Sequence, residues 1–225
     1  RKAPLRVGVL RELFPAAPEA APAISLVERA LSTLGAQATI VDGLKTDLDL
    51  PSLIPSLRVN NYEVRYAFDA YLRRRGPSSP VKSLADLIAS GNYLKDLDSR
   101  YDVAMKVQSL DTDVEYRRRL ALQRQVRAAL LALMDRERLD VLAYPTKSLT
   151  APPVGEAEVG GPRDNPFSAV AGLPAAVVPV GLHPDGLPIA IEFLGRPFAE
   201  DTLLHLAEVY ERLRGPRPLP PTTPR

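Results

Sequence analysis

The stretch that decides the fold runs from Asn165 to Tyr210 and reads NPFSAVAGLPAAVVPVGLHPDGLPIAIEFLGRPFAEDTLLHLAEVY. Two of its segments, 175–180 and 187–194, alternate in the manner of strands that each have one more buried face. Between them lies Leu-His-Pro-Asp-Gly, in which Asp185 and Gly186 are expected to supply the positive φ angles of a tight turn. The stretch therefore predicts a β-hairpin.

Each predicted strand contains a proline, which cannot donate a hydrogen bond to a sheet ladder. We therefore expect Pro179 and Pro188 at strand ends, edges or bulges. Gly195 then ends the second strand, and Asp201 is predicted to cap a helix that lies against the sheet. The apolar stripe of this helix consists of Leu203, Leu206, Ala207, Tyr210 and Leu213.

The residues further upstream follow a strand, helix, strand order. Residues 5–10 alternate like a strand, a helix with Gly35 as its stop follows, and residues 37–41 predict the next strand. The longest predicted helix covers residues 112–138, and residues 139–144 form a short buried strand. This order favours an α/β fold, with a mixed, twisted β-sheet covered by helices. Buried strand positions are expected at Val7, Val9, Val141, Leu142, Val177, Val178, Ile189 and Ile191.

Composition narrows the possible functions. The chain has 225 residues, 45% of them hydrophobic, enough to bury a core in one large domain or two small ones. A net charge of +2 gives no electrostatic reason to expect a nucleic acid or an anionic membrane as partner. The absence of cysteine excludes disulfides, thiol catalysis and thiolate metal sites within this chain. No apolar run approaches the roughly 20 residues that span a bilayer, so we expect a soluble protein with the cytoplasm as its default location.

The middle of the chain predicts helices. Residues 61–75 form one that ends at Gly76-Pro77, and residues 83–90 form a shorter one with Ser83 as its cap. The arginine runs 73–75 and 117–119 are predicted to lie on solvated helix surface.

Two motifs carry a resemblance to a known family. Residues 140–146 read DVLAYPT and fit the pattern D-x-L-x-x-P-T, and Asn165 followed by Gly172-Leu173-Pro174 fits an asparagine followed by G-x-P. Together with the hairpin and the helix after it, these motifs resemble the C-terminal end of the amidase signature family. The helical middle, with YEVRYAFDAYLRRR and VKSLADLIASGN, resembles a subgroup that includes peptide amidases. We therefore assign residues 1–214 to the C-terminal portion of an amidase-signature domain and residues 215–225 to a Pro-rich C-terminal tail.

The resemblance implies an amidase that hydrolyses linear carboxamide C–N bonds with a serine nucleophile, a second serine and a lysine. The family's glycine- and serine-rich stretch, similar to GGSSGGS, occurs nowhere in these 225 residues. We therefore expect the catalytic residues upstream of this chain, and we expect the chain alone to be inactive. Lys147 does not correspond to the family's catalytic lysine. A small-molecule amide is the implied partner of the full-length protein, no cofactor is implied, and surface left exposed on the fragment is expected to permit homo-oligomers.

The family's substrate cavity is bordered by the two motifs, so the implied cavity residues are Tyr144, Pro145, Thr146 and Asn165. A purely structural role is open for each of them: Pro145 and Thr146 can simply end a strand, and Asn165 can bind buried backbone. The Pro- and Gly-rich loop 147–164 is a candidate for substrate selectivity or for a mobile lid, and equally for a surface excursion.

Other functions find less support in the sequence. Gly8 lacks the following glycines of a nucleotide-binding loop. His183 and His205 have no evident serine partner, so both are expected to be solvent-exposed, and no metal-binding pattern is present. Two alternatives stay open: a non-catalytic small-molecule-binding or interaction module related to amidases, and an unrelated ligand-binding α/β domain.

Overall fold

The computed structural model describes residues 4–156 and 165–216, which divide into two compact units. One unit contains the described residues up to Ile54 together with those from Gln125 onward, and the other runs from Pro55 to Arg124. Besides short 3-10 turns, the elements are β1 (Arg6–Leu10), α1 (Ala21–Leu34), β2 (Thr39–Leu44), α2 (Leu50–Leu57), α3 (Asn60–Arg75), α4 (Leu84–Ser90), α5 (Asp98–Lys106), α6 (Val114–Arg136), β3 (Val141–Pro145), α7 (Phe167–Ala171), β4 (Ala175–Leu182), β5 (Pro188–Gly195) and α8 (Glu200–Arg214).

The first unit is built on a five-stranded sheet in the order β2-β1-β3-β5-β4. Strand β1 lies parallel to both β2 and β3, whereas β5 runs antiparallel to both β3 and β4. The predicted α/β fold with a mixed sheet is therefore confirmed. The predicted hairpin is confirmed as well, since β4 and β5 pair from Ala175 opposite Leu194 to Leu182 opposite Pro188.

The prolines of the hairpin lie where a missing backbone donor does least harm. Pro179 stands at a shift of register in β4, which is an edge strand, and Pro188 is the first residue of β5. The turn differs from the prediction, because only Gly186 has a positive φ, of 85°, and Asp185 does not. Asp185 instead stabilises the turn with its carboxylate, which accepts a hydrogen bond of 3.0 Å from the Leu187 N–H.

Helices α1 and α8 cover one face of the sheet and form the main core with it. The α8 side chains Leu203, Leu206 and Tyr210 are buried there, as the apolar stripe predicted. The predicted cap Asp201 is wrong: the helix begins after Ala199, and Asp201 lies inside the first turn. Its carboxylate there still interacts favourably with the helix dipole. The sheet residues in this core are Val7, Val9, Val141, Ala143, Val178, Ile189, Ile191 and Phe193.

Val177 and Gly8 lie on the opposite face of the sheet. Val177 is 53% exposed, so its predicted burial is wrong: it alternates with buried Val178 and therefore points away from α1 and α8, on an edge strand. Gly8 is a packing glycine, since a β-carbon there would lie 2.4 Å from Leu139 Cδ1 and 2.8 Å from Leu44 Cδ1. Close packing in the sheet therefore accounts for this glycine.

The second unit is helical. The predicted cap of α4 is confirmed, because the Ser83 hydroxyl accepts a 3.1 Å hydrogen bond from the Asp86 N–H. Arginines 73–75 are exposed as predicted, but Arg119 is not a solvated residue: its side chain is 19% exposed. Its guanidinium donates to the carbonyls of Pro55 (2.9 Å) and Arg58 (3.1 Å) and so satisfies backbone groups at the end of α2.

Candidate functional site

The two motifs that the sequence singled out meet at the end of β3. Pro145 is the last residue of β3, Thr146 follows it, and Asn165 lies two residues before α7. The Asn165 side-chain amide donates to the Pro145 carbonyl at 2.6 Å, and the Asn165 N–H donates to the Thr146 carbonyl at 3.3 Å. The structure therefore brings Tyr144, Pro145, Thr146 and Asn165 together. The contacts of Asn165 with backbone match the structural role that the sequence left open.

Tyr144 directly precedes Pro145 in β3 and is fully buried. Its hydroxyl donates to Glu192 Oε1 at 2.8 Å, and Glu192 is itself buried on the adjacent strand β5. The Phe167 ring of α7 packs edge-on to the Tyr144 ring, with 6.4 Å between centroids. Burial, together with the neighbouring Glu192 carboxylate, raises the pKa of Tyr144 well above its ordinary value. Tyr144 is thus a neutral donor at physiological pH.

Sequence reasoning missed Glu192. The register places Glu192 directly between Tyr144 of β3 and Val177 of β4. These three residues form one row across the sheet face that lies opposite α1 and α8. The sequence did contain a signal for this residue, since Glu192 is the only charged residue in the apolar strand β5. A buried charge requires a specific partner, so such a residue is a candidate for a buried polar contact.

A cavity of about 250 Å³ opens beside Thr146. The Thr146 hydroxyl oxygen is buried and has no hydrogen-bond partner among the described residues. Such a group is unusual in folded proteins and marks a place where a bound molecule can supply the missing bond. The remaining walls are largely apolar. They are formed by Lys147, Leu149, Thr150, Ala151, Leu187, Pro188, Ile189 and Ala190.

The rim of this cavity is tied to the hairpin turn. The Thr150 hydroxyl donates to Asp185 Oδ2 at 2.6 Å, and His183 Nδ1 lies 3.0 Å from Asp185 Oδ1. The hydrogen bond from Thr150, with those from Leu187 N–H and His183, holds the pKa of Asp185 below its ordinary value. The expected exposure of His183 is therefore only partly right, since its side chain is 18% exposed, whereas His205 is exposed as predicted.

Parts of two predictions lie outside the described residues. The loop that was considered as a lid includes residues 157–164, and the Pro-rich tail includes residues 217–225. Within residues 4–156 and 165–216, no group of three or more His, Cys, Asp or Glu side chains is placed to hold a metal ion. No helix in the same ranges is long and apolar enough to cross a bilayer.

The chain matches a family of known proteins. The family model described as Amidase matches residues 1–204. A fatty acid amide hydrolase from Medicago truncatula is 31% identical over 158 residues, covering 65% of this chain and 25% of that protein. A glutamyl-tRNA(Gln) amidotransferase subunit from Picosynechococcus sp. is 26% identical, covering 93% of this chain and 45% of that protein.

The solved structures give the same result. Native peptide amidase from Stenotrophomonas maltophilia aligns with a TM-score of 0.72 and 26% identity, covering 96% of this chain and 44% of that enzyme. A peptide amidase in complex with the competitive inhibitor chymostatin aligns with a TM-score of 0.73 and 25% identity, covering 97% of this chain and 45% of that enzyme. The chain spans less than half the length of each of these relatives.

Proposed function

Since this chain belongs to the amidase family, whose model matches it over residues 1–204, we propose that it is the C-terminal portion of an enzyme that hydrolyses linear carboxamide C–N bonds. The observation that carries the proposal is the alignment of 96% of this chain with 44% of a peptide amidase, at a TM-score of 0.72. The α/β sheet, the hairpin and both motifs at the end of β3 lie within the matched residues.

The chemistry of the proposed reaction requires a nucleophile, a proton acceptor and an oxyanion site held together. We propose that the nucleophilic serine, the bridging serine and the lysine belong to a segment upstream of this chain. None of residues 1–225 is assigned a catalytic role. The chain alone is therefore expected to be inactive, and the activity, substrates and partners of the whole protein are proposals.

The contribution of this chain is one wall of the substrate cavity. Thr146 is the residue best placed to contact substrate, because its buried hydroxyl lacks a partner among the described residues and lies beside an apolar cavity. Asn165 and Pro145 hold the wall in place through their 2.6 Å hydrogen bond. Tyr144 is given no contact with substrate, since it does not line the cavity and its hydroxyl already donates to Glu192.

The substrate class that fits this wall is a carboxamide with an apolar group beside the amide. The apolar residues Leu149, Leu187 and Ala190 are among those that line the 250 Å³ space, and burial of apolar substrate surface against such a wall is favourable. Similarity to peptide amidases supports peptide-like amides within this class. A cytoplasmic location, the lack of a nucleic-acid partner and the capacity to form homo-oligomers stay predictions from the sequence.

The test compares two polypeptides on the same substrates. Release of ammonia or amine is measured from simple carboxamides and short peptide amides, with this chain and with a polypeptide extended upstream through the glycine- and serine-rich stretch. Hydrolysis by the extended polypeptide alone supports the proposal. Turnover by residues 1–225, retained after contaminating hydrolases are removed, contradicts the placement of the catalytic residues. Inactivity of the extended polypeptide on every amide favours the alternative, a non-catalytic small-molecule-binding or interaction module.

A further inference from the structure

The helical second unit contains a cavity of about 400 Å³ that the proposed amidase function does not use. Helix α3 contributes Arg65, Asp69 and Arg73 at intervals of four residues, so the three side chains lie along one face of the helix. The cavity is lined by these residues together with Tyr66, Ala85 of α4 and Met105 of α5.

The two arginines that line this cavity have no carboxylate partner among the residues that the structure describes. Arg65 is held by neutral groups: its guanidinium donates to the Tyr66 hydroxyl at 2.8 Å and lies 4.7 Å from the centre of the Tyr66 ring. The Tyr66 hydroxyl in turn donates to the Val107 carbonyl at 3.1 Å, which fixes the ring. Neither Arg65 nor Arg73 forms an ion pair with a carboxylate in the described part of the chain.

Asp69 lies between the two arginines in the sequence, but its carboxylate accepts a hydrogen bond from the backbone of α4. Its Oδ1 accepts a 2.7 Å hydrogen bond from the Leu84 N–H at the start of α4. The lining therefore carries two guanidinium groups and one carboxylate, a net charge of +1. A guanidinium presents paired N–H donors that match the two oxygens of a carboxylate. Ala85 and Met105 add apolar wall beside these donors.

We propose that this cavity binds a small organic monoanion, a carboxylate attached to an apolar body, through Arg65 and Arg73. The net charge of +1 matches a single negative charge, and the carboxylate of Asp69 disfavours a dianion such as phosphate. The cavity volume lies in the range of small-molecule sites. This inference concerns the second unit alone and does not depend on the proposed hydrolysis of amides.

Benzoate is a suitable probe, because benzamide has the same shape without the charge. The chain has two methionines, Met105 at the cavity and Met134, which is fully buried in the first unit, so methyl-labelled methionine provides a site-specific NMR signal with an internal reference. Titration with benzoate is expected to shift the Met105 methyl signal and leave that of Met134 in place. Benzamide and inorganic phosphate are each expected to bind at least about tenfold more weakly than benzoate.

Substitutions then locate the contact. Arg65→Gln and Arg73→Gln are each expected to weaken benzoate binding about tenfold, because each removes the charge-assisted hydrogen bonds between one guanidinium and the benzoate carboxylate. Arg75→Gln makes the same change of charge on the same helix outside the cavity, and it is expected to leave binding within about twofold of the parent. The proposal is overturned if benzamide or phosphate binds as tightly as benzoate. It is equally overturned if Arg75→Gln weakens binding as much as Arg73→Gln, or if benzoate leaves the Met105 signal unmoved.

Discussion

The Tyr144 hydroxyl donates to the Glu192 carboxylate across 2.8 Å, between two neighbouring strands in the interior of the first unit. Both side chains are buried, so the hydrogen bond compensates the removal of a carboxylate from water. The pair joins β3 to β5 one residue before Pro145, whose carbonyl accepts the hydrogen bond from Asn165. The sheet thus holds the candidate cavity wall through a polar contact as well as through apolar packing.

Tyr144→Phe is expected to lower the free energy of unfolding by about 1–3 kcal/mol, because it leaves the buried Glu192 carboxylate without its donor. Chemical denaturation measures this loss. The double variant Tyr144→Phe/Glu192→Met is expected to be more stable than the single variant, since it removes the unpaired charge as well. Equal stability of the single variant and the parent protein would show that solvent reaches the carboxylate.

Ile191→Ala is expected to destabilise the first unit by roughly 2–5 kcal/mol, because Ile191 is fully buried in the core between the sheet and helices α1 and α8. Val177→Ala is the matched comparison in the same hairpin. Val177 is 53% exposed, so its truncation is expected to cost within about 0.5 kcal/mol. Thermal and denaturant unfolding of the two variants measure the difference, and similar losses would contradict the assignment of the two sheet faces.

The sequence predicted the sheet because its strongest signals are local. Alternation and turn residues between Ala175 and Gly195 specify a hairpin whatever lies around it, and Ser83 caps its helix within four residues. The strand predicted at residues 139–144, and found at Val141–Pro145, was predictable for a similar reason, since a short apolar run followed by proline predicts a buried strand.

The features that sequence reasoning missed depend on contacts between distant segments. Alternation along β4 and β5 indicates two faces but does not identify which one α1 and α8 cover, so Val177 was misplaced and Glu192 was overlooked. Arg119 belonged to an arginine run, and its bonds to the carbonyls of Pro55 and Arg58 join residues that are more than 60 positions apart. The unpartnered Thr146 hydroxyl is likewise visible only once the surrounding described atoms are placed.

Tyr116 is expected to titrate later than an exposed tyrosine. Its hydroxyl donates to Glu63 Oε1 at 2.7 Å, and this hydrogen bond is the main cause that raises the pKa of Tyr116 to about 12. A folded-state pKa above the unfolded value means that the stabilisation is complete below about pH 10 and is lost as pH rises towards 12. Unfolding measured across this range is therefore expected to show less loss of stability in Tyr116→Phe than in the parent.

Difference spectra give the pKa of Tyr116 directly. Ultraviolet titration of the parent minus Tyr116→Phe is expected to show one phenol with a pKa of about 12. The same subtraction with Tyr71→Phe, at a side chain that is 48% exposed, supplies the comparison. Glu63→Gln is expected to bring the pKa of Tyr116 down. An unchanged value in that variant would contradict a contribution of the Glu63 charge to the shift.

Self-association of the chain is expected through the uncovered side of the hairpin. Strand β4 is an edge strand, and Val177 and Leu182 are exposed on it. Unpaired backbone groups beside exposed apolar side chains favour pairing with another chain. Light scattering over a concentration series is expected to show association that Val177→Lys reduces, whereas Leu204→Lys, on the exposed side of α8, reduces it less. A monomer at every concentration would contradict this prediction.

Thr146→Val separates the proposed binding role of this residue from a structural one. The Thr146 hydroxyl has no partner among the described residues, so its replacement by a methyl group is expected to leave the free energy of unfolding unchanged or to raise it by up to about 1 kcal/mol. In the extended polypeptide, the same change is expected to lower kcat/KM for amides about tenfold, because a hydrogen bond to bound substrate is lost. Thr150→Val provides the contrast, since that hydroxyl donates to Asp185 at the cavity rim and its loss is expected to lower the free energy of unfolding rather than leave it unchanged. A stable Thr146→Val protein with unchanged kcat/KM on every amide would remove Thr146 from the substrate contacts, while a clear loss of stability would show that its hydroxyl has a structural partner.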